Sequence, residues 1–151
     1  MSKEYSAINN FLVTVFNEVL RTEEASLKTK EFKNLSMREM HVIEAVCDAA
    51  GYEKNTASEI ALSQKITAGT LTTAIINLEK KGYVTRQQDQ RDKRMVRIFP
   101  TEKGKTANEV HQSFHHEMVS SIMSVLNENE LTVFVKGLAA VQHFLEDTKS
   151  Q

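Results

Sequence analysis

The residues best suited to chemistry in this sequence lie between positions 65 and 105. Residues 66–79 have the apolar spacing of a short helix, with hydroxyl side chains at the positions between. A charged run at 89–94 follows, flanked by two short β-like runs at 83–86 and 95–99. The whole stretch contains ten Lys and Arg against four Asp and Glu, whereas the rest of the chain contains nine against sixteen. A basic segment within an otherwise acidic chain is typical of a surface that binds a polyanion.

The short helix has one apolar face and one polar face. The side that we expect to be buried consists of Leu71, Ala74, Ile75 and Leu78. The opposite side is small and polar, as suits a helix that enters the major groove of DNA, and consists of Thr67, Gly69, Thr70, Thr72, Thr73 and Asn77. Because this side has no arginine, the usual partner of guanine, the sequence predicts an A/T-rich site recognised through methyl groups, hydroxyl groups and groove shape.

The charged run at 89–94 predicts the tip of a β-hairpin that lies beside DNA. Arg91 is nearest the tip, and we expect it to enter the minor groove, where narrow A/T tracts have a strong negative potential. Asp89 and Asp92 disfavour DNA, so we expect them to pair with Arg94 and with the hairpin backbone, which would hold the tip in place. Four further basic residues belong to the predicted DNA-binding surface, the first two as neighbours of phosphates: Lys65, Arg86, Lys93 and Arg94.

The elements that position these residues are helices opened by capping boxes. Such a box pairs a hydroxyl or amide residue with a glutamate three positions later, and it occurs at Ser36 and Glu39, at Thr56 and Glu59, and at Asn127 and Glu130. Thr67 is the expected N-cap of the helix with the polar face, and Gly82 ends that helix. Two short helices joined by a turn of about four residues form a helix-turn-helix, and the hairpin after them forms a wing. The predicted fold is mainly α-helical with a small β-hairpin, a winged helix-turn-helix.

The predicted organisation is a single domain over residues 1–151, with the winged helix-turn-helix at 34–104. Helices at 1–30 and 105–151 carry long apolar stripes that a small central core would not cover. We therefore expect these helices to pack across a two-fold axis in an obligate homodimer, which would also present two DNA half-sites about one turn apart. The alternative is that they pack only within one chain.

Composition limits the remaining classes of protein. The 151 residues include a single cysteine. No apolar run approaches the length of roughly 18 residues that is needed to cross a bilayer, and the first twenty residues show no apolar core of a secretory signal. These features favour a cytoplasmic protein without an internal disulfide or a membrane span. The sequence has no glycine-rich phosphate loop, Ser-His-Asp arrangement or evident carboxylate pair, so we expect neither an enzyme nor a bound cofactor. A protein-interaction module is the remaining alternative, although it would leave the basic hairpin unused.

Several motifs follow one another along the winged segment in a definite order. They are Leu-Glu-x-x-Gly-Tyr-Val-x-Arg at 78–86, the run at 89–94, Val96, and Thr101-Glu102-Lys103-Gly104. In this order they resemble the signature of the MarR family of bacterial transcription regulators. The resemblance implies a homodimeric winged helix-turn-helix repressor that binds double-stranded DNA at a palindromic operator.

Shorter stretches resemble the FabT-type repressors of fatty-acid synthesis within that family. They are Ile8-Asn9-Asn10-Phe11-Leu12, Phe32-Lys33-Asn34-Leu35-Ser36, Glu39-Met40-His41 and Phe114-His115-His116-Glu117-Met118-Val119. This resemblance implies that a long-chain acyl group on acyl carrier protein acts as co-repressor. The apolar tunnel that such a chain needs would be lined by Phe11, Phe16, Met37, Met40, Phe114 and Met118. Each of these six could equally be core or dimer interface, and a regulator of another small-molecule effector would have a similar sequence.

The histidines favour a different effector, a zinc ion. His111 and His115 are four residues apart on one helix face, which is the spacing of a metal-binding pair. His41 and Glu24 could complete four ligands, in a pattern that resembles the zinc-sensing branch of the same family. The alternative is that these histidines are solvated or hydrogen-bonded.

Cys47 raises the further hypothesis of a redox sensor. Peroxide-sensing relatives have their reactive cysteine in the first helix, where this chain has none. Cys47 lies instead among apolar residues such as Ile43 and Val46, where burial would raise the thiol pKa and lower its reactivity. We expect Cys47 to serve core packing.

Overall fold

The computed structural model describes residues 1–28, 31–51 and 53–150, and within them the chain is mainly helical with one β-hairpin. The N-terminal helical path comprises α1 (Lys3–Asn10), a π-helical segment (Phe11–Val15) and α2 (Phe16–Lys28). Then follow α3 (Met37–Ala50), α4 (Ala57–Ser63), α5 (Ala68–Lys80), β1 (Val84–Gln88), β2 (Val96–Pro100), α6 (Glu102–Met123) and α7 (Glu128–Lys149). The predicted fold class, helices around a small hairpin, is confirmed.

The helix starts follow the capping chemistry of the sequence. In each predicted capping box the side chain of the N-cap residue accepts a hydrogen bond from the backbone N–H three residues later, at 3.1 Å for Ser36, 3.3 Å for Thr56 and 3.0 Å for Asn127. Thr67 caps α5 in the same way, since its Oγ1 accepts from the Thr70 N–H at 3.1 Å. These bonds satisfy backbone donors that a helix leaves unpaired in its first turn.

The described chain forms two compact units, residues 1–114 and the residues from His115 onward. The first unit contains a continuous hydrophobic core contributed by α2, α3, α4, α5, the hairpin and the start of α6, which includes Leu27, Met40, Ile43, Val46, Ile60, Leu71, Ile75, Leu78, Tyr83 and Ile98. In the second unit α7 has no buried residue, and several of its large apolar side chains are exposed.

The hairpin is antiparallel and pairs Val84 with Pro100 at its base and Gln88 with Val96 near its tip. Its observed strands begin and end one or two residues later than the β-like runs of the sequence. Gly82 precedes β1 with a φ of 84°, a left-handed conformation that glycine adopts without strain. One isolated bridge pairs Thr56, just before α4, with Arg97 of β2, so the α3–α4 connection lies along the hairpin.

Candidate nucleic-acid interface

Helix α5 presents the polar face that the sequence predicts. Its apolar side is buried in the core and consists of Leu71, Ala74, Ile75 and Leu78. The opposite side faces solvent: Thr67, Gly69, Thr72, Thr73 and Asn77 are exposed and Thr70 is half-buried. The division into a buried and an exposed face is confirmed, and contact of the exposed face with DNA stays a prediction.

Two hydroxyl groups on the exposed face donate their hydrogen atoms within the helix. Thr72 Oγ1 donates to the carbonyl oxygen of Ala68 at 2.8 Å, and Thr73 Oγ1 donates to that of Gly69 at 3.1 Å. Because each hydroxyl hydrogen is used within the helix, these two side chains can offer an acceptor oxygen and a methyl group to a ligand. Adenine and cytosine amino groups and the thymine methyl group are the matching features of base edges.

The hairpin tip is organised by its two aspartates. Asp89 Oδ1 accepts from the backbone N–H groups of Arg91 at 2.7 Å and Asp92 at 3.1 Å. Asp92 forms the expected pair with Arg94, whose Nε and Nη2 donate to its carboxylate at 3.0 and 3.1 Å. Asp89 does not pair with Arg94, contrary to the expectation from the sequence. Its ionic partner is Arg97, whose Nε lies 2.6 Å from Asp89 Oδ2, because the register of the hairpin places Arg97 on the side of Asp89.

The environment of Asp89 keeps its carboxylate charged. The pKa of Asp89 is lowered to about 2, mainly by the hydrogen bond from Arg97 and then by those from the Arg91 and Asp92 backbone N–H groups. Hydrogen bonds to the charged form favour that form. The carboxylate that shapes the tip therefore remains ionised at neutral pH.

The basic residues assigned to the interface differ in their availability. The side chains of Arg91 and Lys93 are exposed, and among the described residues neither forms an ion pair. Arg94 is also exposed, although Asp92 balances its charge. Lys65 lies exposed in the turn between α4 and α5, with a φ of 54°. The cations best placed to meet a phosphate or a groove without losing an existing partner are therefore Arg91, Lys93 and Lys65.

Arg86 is less available than the sequence suggested. Its Nη2 and Nε donate to Glu79 Oε1 at 2.9 and 3.2 Å, so it links β1 to the end of α5. The same hydrogen bond lowers the pKa of the Glu79 carboxyl group. An arginine held by a carboxylate offers less net charge to a phosphate. Contact between Arg86 and a phosphate stays a prediction, and it would compete with the pair to Glu79.

The end of α5 is fixed by residues outside the predicted DNA-binding site. Lys81 Nζ contacts Glu39 Oε2 at 2.8 Å and the Asn34 carbonyl oxygen at 2.5 Å. The Tyr83 hydroxyl donates to Asn34 Oδ1 at 2.7 Å, and Thr101 Oγ1 donates to the Gly82 carbonyl oxygen at 2.6 Å. These contacts join α5 to the start of α3 and to the start of α6. No local sequence signal identifies them, because the partners are 19 to 49 residues apart.

The six residues of the predicted acyl tunnel have different environments. Met40 is completely buried in the core and Met37 packs against that core, whereas Phe11 and Phe16 are about half exposed on the N-terminal helical path. Phe114 and, in the second unit, Met118 are half-buried. Two surface cavities of about 520 and 550 Å³ are lined by other residues, the first between α3 and α4 and the second beneath the hairpin. The tunnel stays a prediction. An acyl chain that reached Met40 would have to displace side chains of the hydrophobic core.

A cluster of two histidines and two glutamates lies in the first unit, with His111 and Glu23 buried and His41 and Glu44 partly exposed. His111 of α6 is buried, with Nδ1 3.2 Å from Glu23 Oε1 and Nε2 2.5 Å from Glu44 Oε2. His41 Nε2 lies 3.9 Å from Glu23 Oε1, and the two imidazole centroids are 5.7 Å apart. Glu24, the carboxylate predicted from the sequence as a metal ligand, pairs instead with Lys28 at 3.1 Å.

Glu23 rather than Glu24 reaches the histidines because of their different positions around the axis of α2. Glu23 stands four residues before the buried Leu27 and so lies on the inner face of α2, whereas the next residue is turned toward solvent by about 100°. The spacing to Leu27 was the signal that could have identified Glu23. His115 follows His111 by one helical turn in α6 and belongs to the second unit.

Cys47 is half-buried and packs against the core. Its pKa is raised to about 11, mainly by burial and secondly by the neighbouring charge of Asp48. The expectation of a raised thiol pKa is confirmed. Separately, no helix among the described residues is both long and apolar enough to cross a membrane.

Comparisons with known proteins match this geometry. The MarR family model matches residues 45–96, which run from α3 to the start of β2. The HTH-type transcriptional repressor YetL of Bacillus subtilis (strain 168) is 27% identical over 106 residues, or 70% of this chain. The chain spans 63% of the length of that curated relative.

Solved structures extend the similarity to nearly the whole chain. The crystal structure of Streptococcus pneumoniae FabT in complex with DNA is 38% identical, with a TM-score of 0.82 over 95% of this chain and 99% of that one. A crystal structure of the S. aureus MepR–DNA complex is 20% identical, with a TM-score of 0.70 over 96% of this chain and 98% of that one. The second comparison supports the fold alone.

Proposed function

This chain belongs to the MarR family, and from that membership we propose that it represses fatty-acid synthesis genes with long-chain acyl-acyl carrier protein as co-repressor. The coarser function is that of a DNA-binding transcriptional regulator, as in the proteins that it matches, which are not enzymes. The observation that carries the finer proposal is the similarity to S. pneumoniae FabT along almost the entire length of both chains.

We propose that α5 enters the major groove and the hairpin the neighbouring minor groove. The exposed hydroxyl face of α5 contains no charged side chain, so the positively charged groups that attract phosphate must lie beside it. Lys65 before α5 and Lys93 in the hairpin are placed to supply it, and the exposed Arg91 is placed to enter a narrow A/T-rich minor groove.

Two copies of this surface are needed for a palindromic operator, and exposed apolar side chains support a homodimer. In the first unit Tyr5, Ile8 and Phe16 are more than half exposed, and in the second unit so are Val133 and Phe144. Monomeric soluble proteins seldom expose such clusters to water. We propose that a second copy of the chain covers these faces.

The acyl chain would enter near the N-terminal helical path and α3. Phe11 and Phe16 offer exposed apolar surface, and Met37 is partly buried against the core that contains Met40. Methionine adapts its shape to a flexible ligand, so these side chains could repack around an acyl chain. The co-repressor would act by favouring the conformation that binds DNA, because a ligand shifts an equilibrium only through its different affinity for the two states.

The test is a titration of a labelled A/T-rich palindromic promoter fragment from a fatty-acid synthesis operon. The protein is added alone, with long-chain acyl-acyl carrier protein, with the unacylated carrier protein, and with zinc. Tighter binding with the acylated carrier alone is the expected result. If neither carrier form changes the affinity, the co-repressor proposal is wrong, and tighter or weaker binding with zinc alone would favour a zinc-responsive regulator.

A zinc-responsive regulator is the second candidate, because Glu23, His41 and His111 converge in the first unit. Imidazole nitrogens and a carboxylate oxygen are ligands that zinc accepts, and a bound ion would cross-link α2, α3 and α6. Replacing His111 by alanine should abolish stoichiometric zinc binding measured by calorimetry if this candidate is correct. In the acyl-regulated repressor the same variant would keep its response to acylated carrier protein.

A further inference from the structure

Arg97 of β2 lies where the hairpin meets the body of the first unit. Its Nε donates to Asp89 Oδ2 at 2.6 Å, and its Nη1 donates to Asn55 Oδ1 at 2.8 Å and to the Glu53 carbonyl oxygen at 3.2 Å. The side chain is 31% exposed and that of Asp89 only 10%. The guanidinium therefore faces into the protein, where the carboxylate of Asp89 balances its charge.

The body end of this contact is held firmly. Asn55 is buried, its side-chain Nδ2 donates to the Ile98 carbonyl oxygen at 3.1 Å, and its own carbonyl oxygen accepts from the Ile98 N–H at 2.9 Å. Thr56 forms the bridge to Arg97 beside it. A buried amide with its donors and acceptors satisfied has little freedom to move.

The other end of the contact leads to the hairpin tip. The carboxylate that pairs with Arg97 also accepts the backbone N–H of Arg91 at 2.7 Å through its second oxygen. A continuous series of hydrogen bonds thus runs from Asn55 through Arg97 and Asp89 to the backbone of Arg91.

We propose that Arg97 is a positioning residue that fixes Arg91 of the hairpin tip relative to the α3–α4 connection. This inference rests on the proposed role of Arg91 in the minor groove. That groove is only about 6 Å wide, so a small displacement of the tip would misplace the arginine. The fork of a guanidinium suits the task because it binds two acceptors at a fixed angle, whereas a lysine ammonium does not.

Two single substitutions separate positioning from simple electrostatics. Asp89→Asn removes a negative charge beside the proposed DNA surface, so charge alone would tighten operator binding, whereas loss of positioning would weaken it. Arg97→Lys leaves the net charge unchanged, so charge alone would leave affinity as it is. We expect both variants to bind a labelled A/T-rich palindromic promoter fragment about fivefold or more weakly by fluorescence anisotropy.

A double-mutant cycle with Arg91→Ala completes the test. If Arg97 acts through Arg91, the variant with Arg91→Ala and Arg97→Lys should bind within about twofold of Arg91→Ala alone, since coupled residues are not additive. Thermal unfolding curves of all variants monitor folding separately. Additive losses, or wild-type affinity of Arg97→Lys, would overturn the inference. Wild-type affinity of Arg91→Ala would instead show that the proposed role of Arg91 in the minor groove is wrong.

Discussion

Replacing Gly104 by alanine tests the junction between α6 and the DNA-binding elements. Gly104 is buried in the first turn of α6, against the backbone of Tyr83, which directly follows Gly82 in the connection between α5 and β1. A Cβ atom at position 104 would lie 2.2 Å from the Tyr83 carbonyl oxygen and 3.3 Å from its carbonyl carbon. The obstacle is backbone, so no side-chain rotation can relieve it.

The size of the effect follows from two opposing terms. Alanine is favoured over glycine inside a helix by about 1 kcal/mol. Reaching a tolerable separation of 3.0 Å requires the backbone atoms to move apart by at least about 0.8 Å. That movement would strain the hydrogen bond from the Thr101 N–H to the Tyr83 carbonyl oxygen, which is 3.0 Å long. Overpacking costs about 1–3 kcal/mol or more, and a 2.2 Å contact with backbone belongs in the upper part of that range, at about 2–3 kcal/mol. After the helix preference of about 1 kcal/mol is subtracted, we expect a net loss of about 1–2 kcal/mol.

The assay is thermal unfolding followed by circular dichroism. For a chain of this length each kcal/mol corresponds to about 2–4 °C, so the melting temperature of Gly104→Ala should fall by about 2–8 °C. Gly69→Ala in α5 is the matched control, because a Cβ there meets no atom within 4 Å. Its melting temperature should equal or exceed that of the wild type. A Gly104→Ala variant as stable as this control would refute the argument from close approach.

Three further predictions concern the interface and the cysteine. Gly69→Ala should keep the fold but weaken operator binding in anisotropy titrations, because a methyl group at the start of α5 would keep DNA further away. An affinity equal to that of the wild type would show that Gly69 does not allow a close approach of DNA. Thr72→Val and Thr73→Val should change the order of preference among operator variants, since each removes an acceptor oxygen and keeps a methyl group. An equal loss on every sequence would identify phosphate contacts instead. Cys47, with its pKa raised to about 11, is mostly a neutral thiol at pH 8, so iodoacetamide should alkylate it slowly at that pH. The alkylation rate should rise about tenfold with each further pH unit, as the thiolate fraction rises. Rapid alkylation at pH 8 would show that the thiol is not shielded.

The sequence determined the local structure of the site because its signals are local. Apolar spacing within α5 defined which face is buried and which is exposed, since helical periodicity alone decides that division. Capping residues three positions apart marked where α3, α4 and α7 begin. The run at 89–94 marked the hairpin tip, and its pairing of Asp92 with Arg94 is a contact between near neighbours.

Only the tertiary structure decided which charged groups meet across the fold. Asp89 pairs with Arg97 through the strand register, Lys81 reaches Glu39 across 42 residues, and neither pairing leaves a trace in local spacing. The phase of α2 against the core made Glu23 the partner of His111 and left Glu24 about half exposed and paired with Lys28. Ion pairing depends on a few ångströms in three dimensions, and helix packing and strand register set those distances.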